Sequence, residues 1–365
     1  MISERFNLSQ KQSVYLNKKR IRIRNTIQEL LNSETYKNET IRCYICNSHY
    51  DRHQLISATE RHGIEFSCVI CQDCGLIFGN PRMDKKSYSD FYTQYYRDLY
   101  NYNIGENNLD SLYQSNYLNG KNVYKFVKPF IEDNCNVLEI GCANGGLLKY
   151  FEEQGHNITG LDLGAAEVNY GKEKFGLNLI HKSIDDYQGE KKQDLVIMIH
   201  VIEHLTEPEI TMKKIHENLS DSGLIYISCP DVDTLSNGLI YKSDWLTLMQ
   251  NAHTINFDSN SIKNLLGKYG FEVIYFEPGM NLVARKNNKT KYIIENNYNK
   301  SLKNITEAEE IFQSRTVQNK IRKFLEINGI LAFLVYLSKP VNSILIKIGI
   351  QKYVKSFFKL IYRFI

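Results

Sequence analysis

The chain has 365 residues, of which 42% are hydrophobic and 24% are charged, and its formal net charge is +4. This composition excludes a disordered chain, a collagen-like chain and a small disulfide-rich scaffold for most of its length. The small net charge does not indicate a nucleic-acid partner, and we expect none. At about 150 residues per domain, the length corresponds to roughly two domains and an extension.

The charges are concentrated at the two ends of the chain. Residues 1–40 carry eight basic and four acidic side chains, and residues 316–365 carry nine basic side chains and one acidic. The segment between them is therefore acidic overall, which suits an enzyme with basic extensions better than a protein with a continuous basic groove. The first residues lack the apolar stretch of a secretory signal, so we expect a cytoplasmic protein.

In chain order the sequence predicts five parts. They are a basic helical segment (1–40), a zinc-binding module with four cysteines (41–80), a Tyr-rich helical connector (81–120), a larger α/β domain (121–288) and a basic amphipathic helical tail (289–365). The three central parts carry the motifs that indicate chemistry.

Four of the eight cysteines form two short-range pairs. Two residues separate Cys43 from Cys46 and Cys71 from Cys74, and 24 residues lie between the pairs. In a reducing compartment such pairs indicate metal ligands rather than disulfides, and four thiolates suit a structural, tetrahedral Zn²⁺. Such an ion has no open coordination position, so we expect it to take no part in chemistry. Cys68, three residues before Cys71, is a competing ligand.

The connector is rich in aromatic side chains, with nine tyrosines between residues 88 and 124. Phe91, Tyr92, Tyr95, Tyr96 and Tyr100 recur at the spacing of a helix. We therefore expect a helix that presents an aromatic stripe.

From residue 136 onward, short apolar runs alternate with amphipathic segments. The runs predict strands at 137–140, 158–161, 195–199, 224–228 and 271–276, and the segments predict helices at 147–154, 165–174, 207–219 and 262–269. This alternation predicts an α/β fold, with a Rossmann-like parallel sheet and helices on both faces. Thr206 and Glu209 match a capping box at the start of the third helix, and residues 221–223 match a turn before the fourth strand.

A glycine-rich turn joins the first strand of this domain to its first helix. Gly141 and Gly145 allow a sharp turn and the close approach of a ligand to the backbone. Asp162 ends the next strand, where a carboxylate can accept hydrogen bonds from both hydroxyls of an adenosine ribose. Gly141, Ala143 and Gly146 together match a degenerate form of the NAD-binding fingerprint.

Glu139 favours a different cofactor. An acidic side chain two residues before the first glycine is poorly placed beside a pyrophosphate, but it suits the ammonium group of a methionine moiety. The string Glu139-x-Gly141-x-Ala143-x-Gly145 resembles motif I of the class I S-adenosylmethionine (SAM)-dependent methyltransferases. Later motifs of that family are matched in the same order at 194–205, 223–231 and 253–271, so that the resemblance covers roughly residues 120–286.

The resemblance implies that SAM binds at the carboxyl ends of the strands. The residues implied to contact it are Glu139, Gly141, Ala143, Gly145, Asp162, Asp185 and His200. Among these, Asp185 follows the region of the family's third strand, near where the family holds the adenine ring, and it precedes the predicted strand 195–199.

The string from Cys71 to Arg82, followed by the Tyr-rich helix, resembles the N-terminal module of bacterial sugar methyltransferases. These include deoxysugar C-methyltransferases and relatives encoded with surface-polysaccharide genes. The resemblance implies that the two CxxC pairs are the zinc ligands, that Cys68 is a bystander, and that the module packs against the catalytic domain. The side chains implied to line the acceptor pocket are Tyr92, Tyr95, Tyr96 and Tyr100.

Three histidines, His200, His204 and His253, are predicted on the catalytic face. The resemblance implies that His253 is the general base or its partner, and His204 is the second catalytic candidate. Residues 248–252 lack the tyrosine and glutamate that accompany this histidine in C-methylating members, which favours O-methylation. His200 stands where some quinone-pathway methyltransferases have a glutamate ligand for Mg²⁺, so we expect no metal there.

We therefore expect a methyltransferase that acts on a sugar of a bacterial capsule or lipopolysaccharide glycan, or on its nucleotide-linked precursor. The alternatives within enzymes are a methyltransferase for rRNA, tRNA or another small molecule, and an NAD-dependent oxidoreductase. A non-catalytic scaffold is the alternative outside enzymes.

Residues 316–365 lie outside the family resemblance. Apolar and basic side chains occupy opposite helical faces between residues 350 and 364. This pattern predicts contact with an anionic membrane surface, or with a protein partner.

Overall fold

The structure is a computed structural model that describes residues 2–7, 12–100, 109–236, 243–287 and 292–314, together with Phe324 and Asn328. The predicted amphipathic helix at 350–364 lies outside the described residues, so its contact with a membrane or protein stays a prediction. Within the described ranges, no helix is both long and apolar enough to cross a membrane.

The N-terminal part of the chain forms a helix and a small antiparallel sheet. Its elements are α1 (Lys18–Asn32), β1 (Asn38–Glu39), β2 (His53–Thr59), β3 (Glu65–Cys71), β4 (Ile77–Gly79) and β5 (Arg82–Met83). Strands β2, β3 and β4 pair in sequence order, and β1 pairs with β5. We call the region 38–83, which holds both cysteine pairs, the Cys module.

The Tyr-rich segment is a continuous helical rod. It consists of α2 (Lys85–Phe91), a π-helical turn (Tyr92–Tyr96) and α3 (Arg97–Tyr100). The Asp84 side chain accepts a hydrogen bond from the Ser87 N–H and so caps the start of the rod.

The larger domain alternates strands with helices. Its elements are α4 (Leu109–Val127), β6 (Asn136–Ile140), α5 (Gly146–Glu153), β7 (Asn157–Asp162), α6 (Ala165–Phe175), β8 (Leu179–His181), β9 (Gln193–Ile199), α7 (Pro208–Asn218), β10 (Leu219–Ser228), α8 (Trp245–Leu248), β11 (Ile255–Asn256), α9 (Ser259–Lys268), β12 (Phe271–Glu277) and β13 (Asn281–Lys286). Seven of these strands form one sheet in the order β8-β7-β6-β9-β10-β13-β12, with β13 antiparallel to both neighbours. The predicted α/β, Rossmann-like fold is confirmed.

Both faces of this sheet are covered. Alternate residues of β6 point to opposite faces, so Val137 packs with α4, α5 and α6, whereas Leu138 packs with α7, α9 and the Cys module. The helix α4 lies along α5, where Gly120 allows the two backbones to approach closely. Residues 109–120, which the sequence assigned to the connector, therefore pack with the α/β domain.

The Cys module and the α/β domain share a sheet. Strand β11 comes from the α/β domain but pairs with β4, with Ile255 opposite Phe78 and Asn256 opposite Ile77. The Arg82 guanidinium adds a side-chain link by donating to the Thr206 carbonyl at 2.9 Å. The fourth strand of the small sheet is thus supplied by the domain against which the module packs.

A final helix, α10 (Tyr298–Ser314), packs on the junction between the two parts. The Asn297 Nδ2 donates to Asp258 Oδ2 at 2.7 Å, at the start of α9. Near the other end of α10, Glu309 pairs with Arg5 at 3.0 Å. This helix begins within the segment predicted as the basic tail.

Two local predictions are wrong. Helix α7 begins at Pro208 with Glu207 at its N-cap and no side-chain cap, so Thr206 and Glu209 do not form a capping box. Proline suits the first helical position because it has no N–H to satisfy, and it places Thr206 one residue too early to cap. Residues 221–223 belong to β10, whose register shifts there, instead of forming a turn.

Gly75 provides a test of the packing of α10 on the Cys module. It has φ +81°, and an ideal Cβ there would lie 2.7 Å from the backbone of Asn297. We predict that Gly75→Ala lowers the free energy of unfolding by about 3 kcal/mol, from left-handed strain plus overpacking against the start of α10. Denaturant unfolding of the full chain measures this.

Gly176→Ala is the matched control, because Gly176 has φ +67° and no atom within 4 Å of an ideal Cβ. It is expected to cost only about 1 kcal/mol, from strain alone. Equal losses for the two variants would contradict the packing of α10 on the Cys module.

Candidate active site

The glycine-rich turn between β6 and α5 has three residues in the left-handed region, which are Gly141 (φ 79°), Ala143 (φ 48°) and Gly145 (φ 73°). An ideal Cβ on Gly141 would lie 2.6 Å from Val201 Cγ2. Ala143 stands where the methyltransferase family usually has glycine, and it keeps the same backbone shape at a cost of about 1–2 kcal/mol. The turn thus places left-handed backbone at the carboxyl edge of the sheet, and we call residues 141–145 the cradle.

Glu139 lies beneath this cradle with 5% of its surface exposed. Its Oε2 has no hydrogen-bond partner among the described residues. Burial raises the pKa of Glu139 well above its usual range, and the charge of Asp162 raises it further. A buried carboxylate of this kind is stabilised by a cationic ligand, which would supply the missing donor.

Asp162 ends β7 beside the turn. Its Oδ2 accepts from the Ala143 N–H and its Oδ1 accepts from the Gly164 N–H, both at 2.7 Å. Since a carboxylate has about four acceptor positions, it can still receive two hydroxyl groups. The next residue, Leu163, is 73% exposed and was missed by sequence reasoning, although an apolar residue directly after the strand-ending acid is a readable signal.

The side chains of the other two predicted cofactor contacts already make hydrogen bonds to other side chains of the protein. Asp185 Oδ1 accepts from Thr211 Oγ1 of α7 at 3.0 Å. His200 has φ 53°, and its Nδ1 lies 3.1 Å from Glu203 Oε1. That hydrogen bond raises the pKa of His200, whose ring is 63% exposed at the end of β9.

The two catalytic candidates meet beside this edge. His204 and His253 form an edge-to-face pair with ring centroids 4.8 Å apart. The Tyr92 hydroxyl donates to the Ala252 carbonyl at 3.1 Å and lies 2.9 Å from His204 Nδ1. That Nδ1 is also 2.9 Å from the Ala252 carbonyl oxygen, so it carries the proton and leaves a lone pair on Nε2.

Both rings are neutral near neutral pH, so each keeps a nitrogen lone pair. Burial lowers the pKa of His204, and it lowers the pKa of His253 well below its usual value. His253 Nδ1 is buried and has no partner among the described residues. Glu203, His204 and His253 also bring their ligand atoms within 4.8 Å of one another, a carboxylate and two imidazoles that could hold a divalent ion.

Three of the four predicted pocket tyrosines form a stack on the histidines. Tyr92 and Tyr96 have ring centroids 6.1 Å and 5.9 Å from that of His204, and Tyr100 lies 5.0 Å from Tyr96. Positions separated by four residues share one helical face, which explains this selection. Tyr95 lies off that face and packs in the cluster between the helical rod and α1.

Sequence reasoning missed two residues that hold this site. Thr254 Oγ1 donates to the carbonyls of Glu203 and Leu205 and so joins the two histidine-bearing loops. Arg61, from the turn between β2 and β3, lies over the Tyr100 ring. Each contact joins residues at least 39 positions apart, so no local spacing could have indicated it.

The four predicted metal ligands converge in the Cys module. Their sulfurs lie within 4.8 Å of one another, with Cys43 and Cys74 at 3.4 Å and Cys46 and Cys71 at 3.5 Å. A tetrahedral ion with Zn–S bonds near 2.3 Å needs sulfur separations of ~3.8 Å, so the four thiols fit Zn²⁺ after a small adjustment.

The two cysteine turns have the same backbone form. Asn47 N–H donates to the Cys43 carbonyl, and Gly75 N–H donates to the Cys71 carbonyl. Both donors have positive φ, 61° for Asn47 and 81° for Gly75. Cys68 faces a different core cluster and does not join the four.

The chain is similar to known methyltransferases over part of its length. Residues 106–275, a little under half of it, match a family model described as a methyltransferase domain. The (S)-tetrahydroprotoberberine N-methyltransferase of Eschscholzia californica is 23% identical over 150 residues, which are 36% of this chain and 43% of that protein. The ubiquinone biosynthesis O-methyltransferase of Rickettsia typhi is 23% identical over 124 residues, which are 32% of this chain and 50% of that protein.

A solved structure gives a similar partial match. The Burkholderia thailandensis 1,6-didemethyltoxoflavin-N1-methyltransferase is 17% identical with a TM-score of 0.40, and the match covers 58% of this chain and 96% of that one. The chain spans half or less of the length of the two named sequence relatives.

Proposed function

We propose that the chain is a SAM-dependent enzyme that methylates a small polar acceptor, because residues 106–275 match a methyltransferase domain and the named relatives are methyltransferases. The observation that carries this proposal is the pairing of two features at one sheet edge. One is the cradle over the unpartnered Glu139 carboxylate, and the other is the His204–His253 pair under the tyrosine stack.

The cradle fits SAM better than NAD. SAM supplies an electrophilic methyl group. The ammonium group of its methionine moiety would donate to the Glu139 carboxylate, whose Oε2 has no partner among the described residues. Asp162 would accept the ribose hydroxyls, and the exposed Leu163 would cover one face of the adenine. A pyrophosphate would instead meet the negative charges of Glu139 and Asp162.

We predict micromolar binding of S-adenosylhomocysteine (SAH), measured by isothermal titration calorimetry, and no binding of NAD. Glu139→Gln is expected to weaken SAH binding by ~10–100-fold, because it removes the charged partner of the ammonium group. Affinity of the unmodified chain should rise with pH, since SAH favours the ionised form of a carboxyl whose pKa is raised in the free protein.

Thermal unfolding of ligand-free Glu139→Gln is the control for folding. A raised carboxyl pKa disfavours the ionised form in the folded state, so this residue destabilises the free protein above its unfolded pKa of about 4.3. The variant should therefore unfold at a higher temperature than the unmodified chain at pH 8. Binding of NAD alone would contradict the proposed cofactor.

The histidine pair would supply the general base. An acceptor hydroxyl must lose its proton as it attacks the methyl group, and a neutral imidazole can take it. The Ala252 carbonyl fixes the tautomer of His204 with its Nε2 lone pair available, and His253 packs against that ring.

We predict that His253→Asn lowers the rate of methyl transfer by at least ~100-fold, the usual contribution of a positioned base. The rate would be measured with labelled SAM and the nucleotide sugar that a screen identifies as acceptor. SAH affinity should stay within about twofold of the original, because His253 lies outside the cradle. An unaltered rate would remove His253 from the chemistry.

The acceptor class is the part of the proposal that depends most on the Cys module. The module's string from Cys71 to Arg82 resembles that of bacterial sugar methyltransferases, and the tyrosine stack of the helical rod offers aromatic faces that suit the C–H face of a sugar ring. Neither of the two named relatives has a sugar in its name. O-methylation is preferred over C-methylation because no tyrosine or glutamate lies in residues 248–252.

We also propose that the four clustered cysteines hold a structural Zn²⁺. The unmodified chain is predicted to bind one zinc ion per chain, measured by inductively coupled plasma mass spectrometry, and Cys71→Ala to lose it. Cys68→Ala is the control, because this buried cysteine faces another cluster, and its zinc content should not change. Zinc loss in both variants, or in neither, would contradict the four-ligand assignment.

A further inference from the structure

Among the described residues of the Cys module, Arg61 is a cation that pairs with no carboxylate, and it lies over the Tyr100 ring of the tyrosine stack. Arg61 lies in the turn between β2 and β3, and its N–H donates to the Met249 carbonyl at 3.0 Å. Its own carbonyl accepts from the Ser13 N–H at 2.7 Å. The backbone of Arg61 is therefore fixed between the N-terminal segment and the loop that leads to His253.

The Arg61 side chain stacks on an aromatic ring and makes no hydrogen bond within the described ranges. Its Cζ lies 4.9 Å from the centroid of the Tyr100 ring, and its Nε is buried without a partner. No carboxylate oxygen of the described residues lies within 4.0 Å of its guanidinium nitrogens. The stacking occupies the face of the guanidinium and leaves its in-plane N–H groups for a ligand.

The acid next to Arg61 in sequence is already satisfied. Glu60 Oε1 accepts from the N–H groups of His62 and Ile64, at 2.7 Å and 3.1 Å. Glu60 Oε2 lies 2.8 Å from His62 Nδ1. Both oxygens of the Glu60 carboxylate are therefore already occupied by hydrogen bonds to His62 and Ile64.

Arg61 lies at one end of a row of ring contacts that includes both catalytic candidates, and we call this row the wall. The ring contacts run without a break from Tyr100 to Tyr96 at 5.0 Å, from Tyr96 to His204 at 5.9 Å, and from His204 to His253 at 4.8 Å. Burial lowers the pKa of His253, and the charges of His204 and Arg61 lower it further, which agrees with this proximity.

We propose that Arg61 binds an anionic group, a carboxylate or a phosphate, of the methyl acceptor. The proposal rests on the proposed methyltransferase function and names its substrate class as anionic. A planar guanidinium donates two parallel hydrogen bonds to either group, and a half-buried site strengthens them. The acid of a uronic-type sugar and the diphosphate of a nucleotide-linked sugar are the two sources of such an anion.

Calorimetric titration of the full chain saturated with SAH tests the assignment. The probes are D-glucuronate for a carboxylate, inorganic pyrophosphate for a phosphate, and D-glucose as the neutral match to glucuronate. At least one anion should bind the unmodified chain at least about tenfold tighter than glucose, and the one that does identifies the source. Arg61→Gln should weaken that binding at least about tenfold, and Arg61→Lys should restore part of it.

Arg22→Gln is the matched control, because Arg22 is an exposed residue of α1. It should leave anion binding unchanged, which excludes a loss caused by lower net charge alone. Equal binding of glucose and both anions by the unmodified chain would overturn the proposal, as would unchanged anion binding by Arg61→Gln. SAH affinity in the same preparations reports separately on the proposed function, since Arg61 lies outside the cradle and its substitution should leave SAH binding intact.

Discussion

The pairing of β11 with β4 is the constraint on which the rest of the site depends. Ile255 and Asn256 leave the α/β domain and complete the sheet of the Cys module. His253 lies two residues before β11, so the position of its ring is set by a sheet that belongs mainly to the module. Strand β4 follows directly from the turn that carries Cys71 and Cys74. The geometry of the cysteine cluster is thereby linked to the catalytic candidates through the backbone.

The side-chain contacts of Asn80 and Arg82, in the string from Cys71 to Arg82, stabilise the junction between the Cys module and the α/β domain. Asn80 uses its side-chain amide to bond both the N–H and the carbonyl of Ile41, which fixes the first cysteine turn relative to the second. Arg82 is buried and donates to Thr206 while it pairs with Glu39. In physical terms, the string from Cys71 to Arg82 is therefore a set of contacts that holds the module against the domain.

The elements that could be predicted from the sequence are those that a local residue pattern determines. Strands such as 137–140 and the glycine-rich turn follow from short apolar runs and from residues that tolerate positive φ. Strand β13 was missed, because its pairing partners β10 and β12 define it more than its own composition does. The contacts of Arg61 with Tyr100 and of Tyr92 with His204 were likewise out of reach, since each joins separate elements through tertiary packing.

Two unpaired charges of opposite sign then lie on different parts of the molecule. The Glu139 carboxylate belongs to the α/β sheet, and the Arg61 guanidinium belongs to the Cys module. Burying either group in charged form costs stability in the free protein, and in our proposals a ligand group of opposite charge would offset that cost. Because the histidine pair lies on the wall that Arg61 shares, an anionic acceptor held there would present its hydroxyl toward the base, while the ammonium of the cofactor would be drawn to Glu139. Both proposals need the part that carries Arg61 to stay against the domain that carries Glu139, and the β11–β4 pairing holds those two parts together.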